Sequence, residues 1–337
     1  MTKHEQWGVV PTHAQILTTW QPDEVLRKET LQYPFQRALG LIVKDVFKHH
    51  VRKGGTILEI GAGQGYLKEL VPQEYHHRYI TSDYNVDNLI AGKTRRELSP
   101  LALSATDLSV IPDNSLDTVV ALDTYHLLPN LQDAMNEAAR VLNPNGTFIV
   151  FQASAPVEAV WHDHPDKVFI PTGIGTLKGL QLVGIERDEF RKGLRSLRQQ
   201  QVDPLIIEKL AGFMEDQLGG YMDATRPNPD GLPPNVYDFA LSLMPVKRFG
   251  VPSSYDYFKQ KLDRATTAAG LVIQQSDFPV RNYIGRRSEN HRQYPGRNDF
   301  KFDRGDIYNR MNPLNNNISQ ITESANMLVV VAKKPAK

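Results

Sequence analysis

Glu59, Gly61, Gly63 and Gly65, four residues at alternate positions, carry the clearest chemical signal in this chain of 337 residues. They close an apolar run, Ile57-Leu58-Glu59-Ile60, that suits a buried parallel strand. Glycine omits the Cβ where backbone must turn sharply or lie against a ligand, so Gly61-Ala62-Gly63-Gln64-Gly65 reads as a cradle, with a helix expected from about Tyr66. Dinucleotide-binding turns place a third glycine three residues after the second, to pack helix on strand; here that position is Tyr66. Glu59 is a poor neighbour for a pyrophosphate and a good one for a cation. The spacing therefore points to a positively charged ligand, against the alternative of a tight turn that binds nothing.

Acids follow at the ends of further apolar segments. Asp83 ends Tyr79-Ile80-Thr81-Ser82, where a carboxylate can accept both hydroxyls of a ribose, unless it merely caps the helix due near Val86. Tyr84 beside it is placed to cover a base. Asp107 and Leu108 follow a third segment, 101–105, and Asp123 ends a fourth, 115–123. An amphipathic helix over 134–142 leads through Asn143-Pro144-Asn145-Gly146 into a fifth strand, 147–151.

In this order and spacing the segments resemble the class I S-adenosylmethionine-dependent methyltransferases, with their E-x-G-x-G-x-G turn and R-V-L-x-P-G-G segment. One departure, Asn145 for the first of the paired glycines, is a residue that tolerates positive φ. The resemblance implies S-adenosyl-L-methionine as cofactor, held by Glu59, Gly61, Ala62, Gly63, Gly65, Asp83, Tyr84, Asp107, Leu108 and Asp123. In it the Asp107 carboxylate takes the adenine amine and the Leu108 amide faces a ring nitrogen, although an Asp before a loop is also ordinary turn chemistry. The implied fold is α/β: a Rossmann-like, seven-stranded, mostly parallel sheet with helices on both faces and an antiparallel last strand, here Met327–Ala332. A mainly helical cap insertion is expected besides.

The rest of the chain supplies what the core lacks. Residues 1–55 are expected to form a helical segment lidding the cofactor or packing on the sheet's flank, with Phe35, Leu39, Ile42, Val46 and Phe47 on one face. The core should run over 56–153 and resume over 253–337, with a helix capped by Ser253 or Ser254. Between them, 154–252 reads as a cap over the substrate crevice: Asp203-Pro204 starts a helix whose apolar face is Leu205, Ile206, Leu210, Phe213, Met214 and Tyr221, and 224–234 is a proline-rich hinge. A second insertion, 285–323, mixes seven basic residues from Arg286 to Arg310 with aromatics and acids, and reads as a self-paired loop before it reads as a grip on an anion.

Composition narrows the function. A net charge of +1 argues against a general polyanion binder, and no apolar run reaches the length of a membrane helix. No charged-then-apolar leader follows Met1, so a cytoplasmic location is expected. The chain has no cysteine, which excludes disulfides, thiolate metal sites, iron–sulfur radical chemistry and thiolate-dependent methylation of pyrimidine C5.

Methyl transfer from a sulfonium to oxygen or nitrogen consumes positive charge, so the protein has chiefly to align the partners and exclude water. A proton leaving a hydroxyl or ammonium needs a group of near-neutral pKa, and His126, just past the fourth strand, and His162, opening the cap, are the candidates. The alternative for His126 is a packed, hydrogen-bonded structural histidine. His162-Asp163-His164 lacks a third ligand nearby in sequence, and no metal is expected. Asp123-Thr124-Tyr125-His126 stands where base-amine methyltransferases carry Asn or Asp, Pro-Pro and an aromatic, which disfavours nucleic acid. A small-molecule acceptor is the leading expectation, with a peptide or protein acceptor as the alternative and a non-catalytic cofactor-binding or partner-binding module as the second. A nicotinamide oxidoreductase is disfavoured by Tyr66.

Overall fold

Seven strands in the order β3-β2-β1-β4-β5-β10-β9 make the principal sheet of the computed structural model, which describes residues 34–96, 100–153, 156, 158–171, 182–218, 239–251, 253–279 and 327–336. The strands are β1 (Ile57–Ile60), β2 (Tyr79–Asp83), β3 (Pro100–Ala102), β4 (Leu116–Leu122), β5 (Leu142–Gln152), β9 (Val272–Asp277) and β10 (Leu328–Lys333). β1 pairs in parallel with β2 and β4, and β4 with β5, while β10 lies antiparallel to both β5 and β9. The antiparallel last strand expected from the sequence is therefore present. Reversal of strand order at β1 and β4 makes the point where open α/β sheets bind ligands, beyond the carboxyl ends of the strands.

Helix α1 (Pro34–His50) follows from its apolar spacing: Leu39, Ile42, Val43, Val46 and Phe47 are buried, in one cluster with Ile57, Val120, Ile149, Phe151, Val329 and Val331 of the sheet. Each such side chain contributes about 1.5–3 kcal/mol through burial. The cluster also takes in Tyr66, Leu67 and Leu70 of α2 (Tyr66–Leu70). Helices α3 (Val86–Arg96) and α4 (Leu131–Val141) follow β2 and β4. The backbone of Asn145 has φ 62, the left-handed conformation that the exchange for glycine anticipated.

The chain divides into two compact units. One holds the described parts of 21–125, 130–154 and 259–337; the other holds 126–129 with the described parts of 155–258. The second unit is built around α5 (Glu158–Asp163), α6 (Arg187–Gln199), α7 (Pro204–Leu218) and a three-stranded antiparallel sheet of β6 (Lys167–Pro171), β7 (Leu182–Glu186) and β8 (Phe249–Val251). The sheet was not foreseen in the reading of 154–252 as a mainly helical cap. Its core joins Val168, Ile170 and Ile185 to Phe190, Leu194 and Leu197 of α6 and Ile207 and Leu210 of α7. Gly184 pairs with Phe169 across β6 and β7, and a Cβ there would lie 2.7 Å from the Phe169 ring.

Of the expected apolar face of α7, Leu210 is buried and Ile206 packs half-buried on the same core, while Leu205 is 48% exposed and Ile207, not expected on that face, is buried. The side chains of Phe213 and Met214, Tyr221, the 224–234 hinge, the arginine-rich 285–323 stretch and the N-terminal residues before Pro34 lie outside the described residues. Helix α8 (Ser254–Ala268) begins where Ser253 accepts the Asp256 amide at 3.1 Å, so Ser253 is the cap. Among the described residues no helix is long and apolar enough to cross a membrane.

Candidate functional site

The turn after β1 is held in shape by three glycines in the left-handed region, Gly61 at φ 66, Gly63 at φ 52 and Gly65 at φ 84. At Gly61 space is closed as well: a Cβ would stand 2.3 Å from both Cγ2 and Oγ1 of Thr124. The Thr124 hydroxyl lies within hydrogen-bonding distance of the carbonyls of Ile60, Gly61 and Leu122, at 3.2, 3.3 and 3.0 Å. It thereby clasps the turn to the end of β4. The Ala62 amide donates to the Ser82 carbonyl at 2.8 Å, and the Gly65 amide to Ala62 at 2.7 Å.

Asp83 ties this turn to β2. Its Oδ2 accepts the Gly63 amide and its Oδ1 the Asn85 amide, each at 2.7 Å. Burial pushes the Asp83 carboxyl above the usual range, against the two backbone hydrogen bonds that favour its charge. A carboxylate offers about four acceptor positions, so two are engaged by backbone and the rest can meet sugar hydroxyls. Tyr84 is exposed next to it. Helix α3 is started by Asn85, whose side chain accepts the Asp87 and Asn88 amides.

Glu59 has a different setting from the one its type and spacing alone suggest. Its side chain is 1% exposed, and Oε2 accepts the Tyr79 hydroxyl at 2.9 Å. Burial first, and then the adjacent carboxylate, raise the Tyr79 hydroxyl far above its ordinary value, so it stays a donor. This contact ties Glu59 of β1 to the first residue of β2.

Asp107 and Leu108 lie in the loop after β3. Asp107 accepts the Ser109 amide at 3.1 Å, a local turn bond, and the Ser109 hydroxyl and amide hold its carboxyl below the usual range. The Leu108 amide, expected to face an adenine nitrogen, instead donates to Glu137 Oε2 at 2.7 Å. Glu137 is fixed by Arg140, which also donates to the carbonyls of Leu108 and Ile111. Asp123, at φ 51, accepts the Ala153 amide at 2.7 Å and so bridges the ends of β4 and β5.

The candidate bases belong to the other unit. His126 is buried, with Nε2 3.5 Å from Oε2 of Glu158 and its ring edge-to-face with Phe258 at 6.2 Å. His162 lies one turn along α5 from Glu158, its Nε2 3.1 Å from the Leu127 carbonyl. His164 is placed apart from these two contacts, among the rings of Phe169, Phe249 and Tyr257 at 6.1, 5.0 and 6.4 Å. Thr124, Tyr79, Glu137 and Glu158 were not singled out from sequence. For Glu158 the signal was its i, i+4 spacing with His162 on one helix; for Thr124, nothing in its residue type marks the contact with Gly61.

Strand order, glycine turn and the acid ending β2 together define a class: over residues 58–150 the chain matches the profile of the methyltransferase domain family. This segment belongs to the class I S-adenosylmethionine-dependent methyltransferases. Among individual relatives, the chain is 28% identical over 104 residues to the fatty-acid O-methyltransferase of Mycolicibacterium smegmatis, an alignment covering 30% of this chain and 38% of that one. It is 26% identical over 126 residues to the demethylmenaquinone methyltransferase of Chlamydia caviae, covering 35% and 51%. A geranyl diphosphate C-methyltransferase of Streptomyces coelicolor A3(2), solved with Mg2+, geranyl diphosphate and S-adenosyl-L-homocysteine, aligns with a TM-score of 0.41 at 10% identity, over 89% of this chain and 79% of that one. The chain thus spans 38% and 51% of the lengths of the two curated relatives.

Proposed function

We propose that the protein transfers a methyl group from S-adenosyl-L-methionine to an oxygen or nitrogen of a small-molecule acceptor. The observation that carries this reading is the left-handed glycine turn after β1, pinned through Gly63 to a buried Asp83, within the segment that matches the methyltransferase domain. The turn fits the cofactor because its glycines carry no Cβ and Asp83 retains acceptor capacity. Two relatives named for a fatty acid and for demethylmenaquinone support a small acceptor.

When bound, the cofactor supplies an electrophilic methyl carbon. Asp83 would accept the ribose hydroxyls, Tyr84 would cover the base, and Gly61, Ala62, Gly63 and Gly65 would line the amino-acid end. Glu59, fixed by the Tyr79 hydroxyl two residues before the turn, would face the cofactor's cationic end. His126 would take the proton that the acceptor releases as it is methylated. Such proton removal by a positioned group contributes about 10²–10⁴ in rate. His162, whose ring nitrogen meets the Leu127 carbonyl, holds the backbone beside His126.

Calorimetry with S-adenosyl-L-methionine tests the reading. Gly63→Val and Asp83→Ala should each weaken binding at least tenfold, and unchanged affinity in both would show that the site is elsewhere. His126→Ala should slow turnover, followed with labelled methyl against metabolite pools, while leaving cofactor affinity as it was.

A further inference from the structure

We infer that Glu158 is a positioning residue for His126, setting the orientation and charge of the imidazole that takes the acceptor's proton; this rests on the methyltransferase reading above. The two groups lie 32 residues apart in sequence and meet within one compact unit, with Glu158 Oε2 3.5 Å from His126 Nε2. Their side chains are 6% and 14% exposed, His126 first. An ion pair this buried is a poor way to gain stability, because withdrawing both charges from water costs several kcal/mol per ion before their attraction is counted. A carboxylate at one ring nitrogen has a clearer chemical effect. Its negative charge favours the ring proton on the near nitrogen, Nε2, and favours the imidazolium that forms when a proton arrives.

The surroundings of the pair suit that task. Helix α5 meets the 126–127 segment twice, through Glu158 and, one turn on, through His162 at the Leu127 carbonyl. From α8 the ring of Phe258 stands edge-on to the imidazole, contributing no charge. The neighbouring Tyr257 hydroxyl is committed to Asp163 at 2.7 Å, at the far end of α5. Glu158 is the charged group shown at His126; of the same elements, His162 meets Leu127 while Asp163 and Tyr257 meet each other.

The test uses the full chain labelled with 13C-histidine, with the His126 signal identified by its loss in His126→Asn. Glu158→Gln should lower the titration midpoint of His126 by about one pH unit, and Glu158→Asp should retain most of the wild-type value. The acid limb of the kcat profile should move by the same amount, with circular dichroism verifying that each variant is folded. An unmoved midpoint in Glu158→Gln overturns the proposal, as does a moved midpoint with a stationary kcat limb. If Glu158→Gln fails to fold, Glu158→Ala replaces it, with the same drop expected and no drop overturning the proposal. Absence of methyl transfer in the wild type would defeat the functional reading, a result distinct from the titration of the pair.

Discussion

Thr124 and Gly61 touch so closely that the glycine turn depends on a residue 63 positions away. Gly61→Ala asks for a Cβ 2.3 Å from the threonine methyl at a backbone of φ +66, and both strains point the same way. A loss of about 1–3 kcal/mol is expected, read as a lower urea midpoint at unchanged slope. Asp83 gives a pH signature. Its folded value lies above that of the unfolded chain, so between the two the native state holds more protons, and this group's effect on stability is unfavourable at neutral pH and relieved as pH falls through the raised value. Cofactor affinity should move oppositely, declining on acidification from above the ordinary carboxylate value of about 3.9 as the acceptor is protonated. Asp83→Asn should remove both trends in paired melts and calorimetric titrations between pH 4 and 8, values set by that window. Asp83 and the glycines were legible because their types are restricted by geometry. Glu59 was legible as part of a buried strand, but its bond to the Tyr79 hydroxyl was not, since no sequence pattern pairs those two side chains.

Among the elements, α4 is locked to the loop after β3 by one carboxylate. Glu137 accepts from both the Leu108 amide and Arg140, and the Arg140 hydrogen bond holds its carboxyl below the usual range. A depressed value means stability present above the unfolded pKa and lost as pH falls through the folded one. Glu137→Gln should cost about 1–3 kcal/mol at pH 7 by leaving the Leu108 amide or the guanidinium short of an acceptor, and should flatten the acid side of the stability profile. The parallel strands were readable because they are apolar runs ended by turn residues, although β3 ends at Ala102 where the sequence suggests Ala105 and β5 starts at Leu142 where it suggests Thr147. β6 and β7 were missed for a physical reason: each is five residues long, and Pro171 and Gly184 read as breaks. On α7 the Asp203-Pro204 start was correct, but a run of apolar neighbours, Leu205, Ile206 and Ile207, left its phase open.

At the scale of the molecule, cofactor binding should appear as stabilisation by mass action. S-adenosyl-L-methionine at a hundredfold excess over its Kd stabilises the native state by about 2.7 kcal/mol, which should raise Tm by several degrees in a thermal-shift scan, whereas NADH should leave Tm unchanged. Equal shifts with both would contradict the assignment of the glycine turn. The division of the chain also bears on transplanting acceptor choice between relatives. Because 126–129 groups with 155–258 across an intervening helix and strand, a chimera that exchanges 155–258 alone would separate His126 from the carboxylate it meets. A working swap has to be discontinuous, moving a four-residue splice along with the large block.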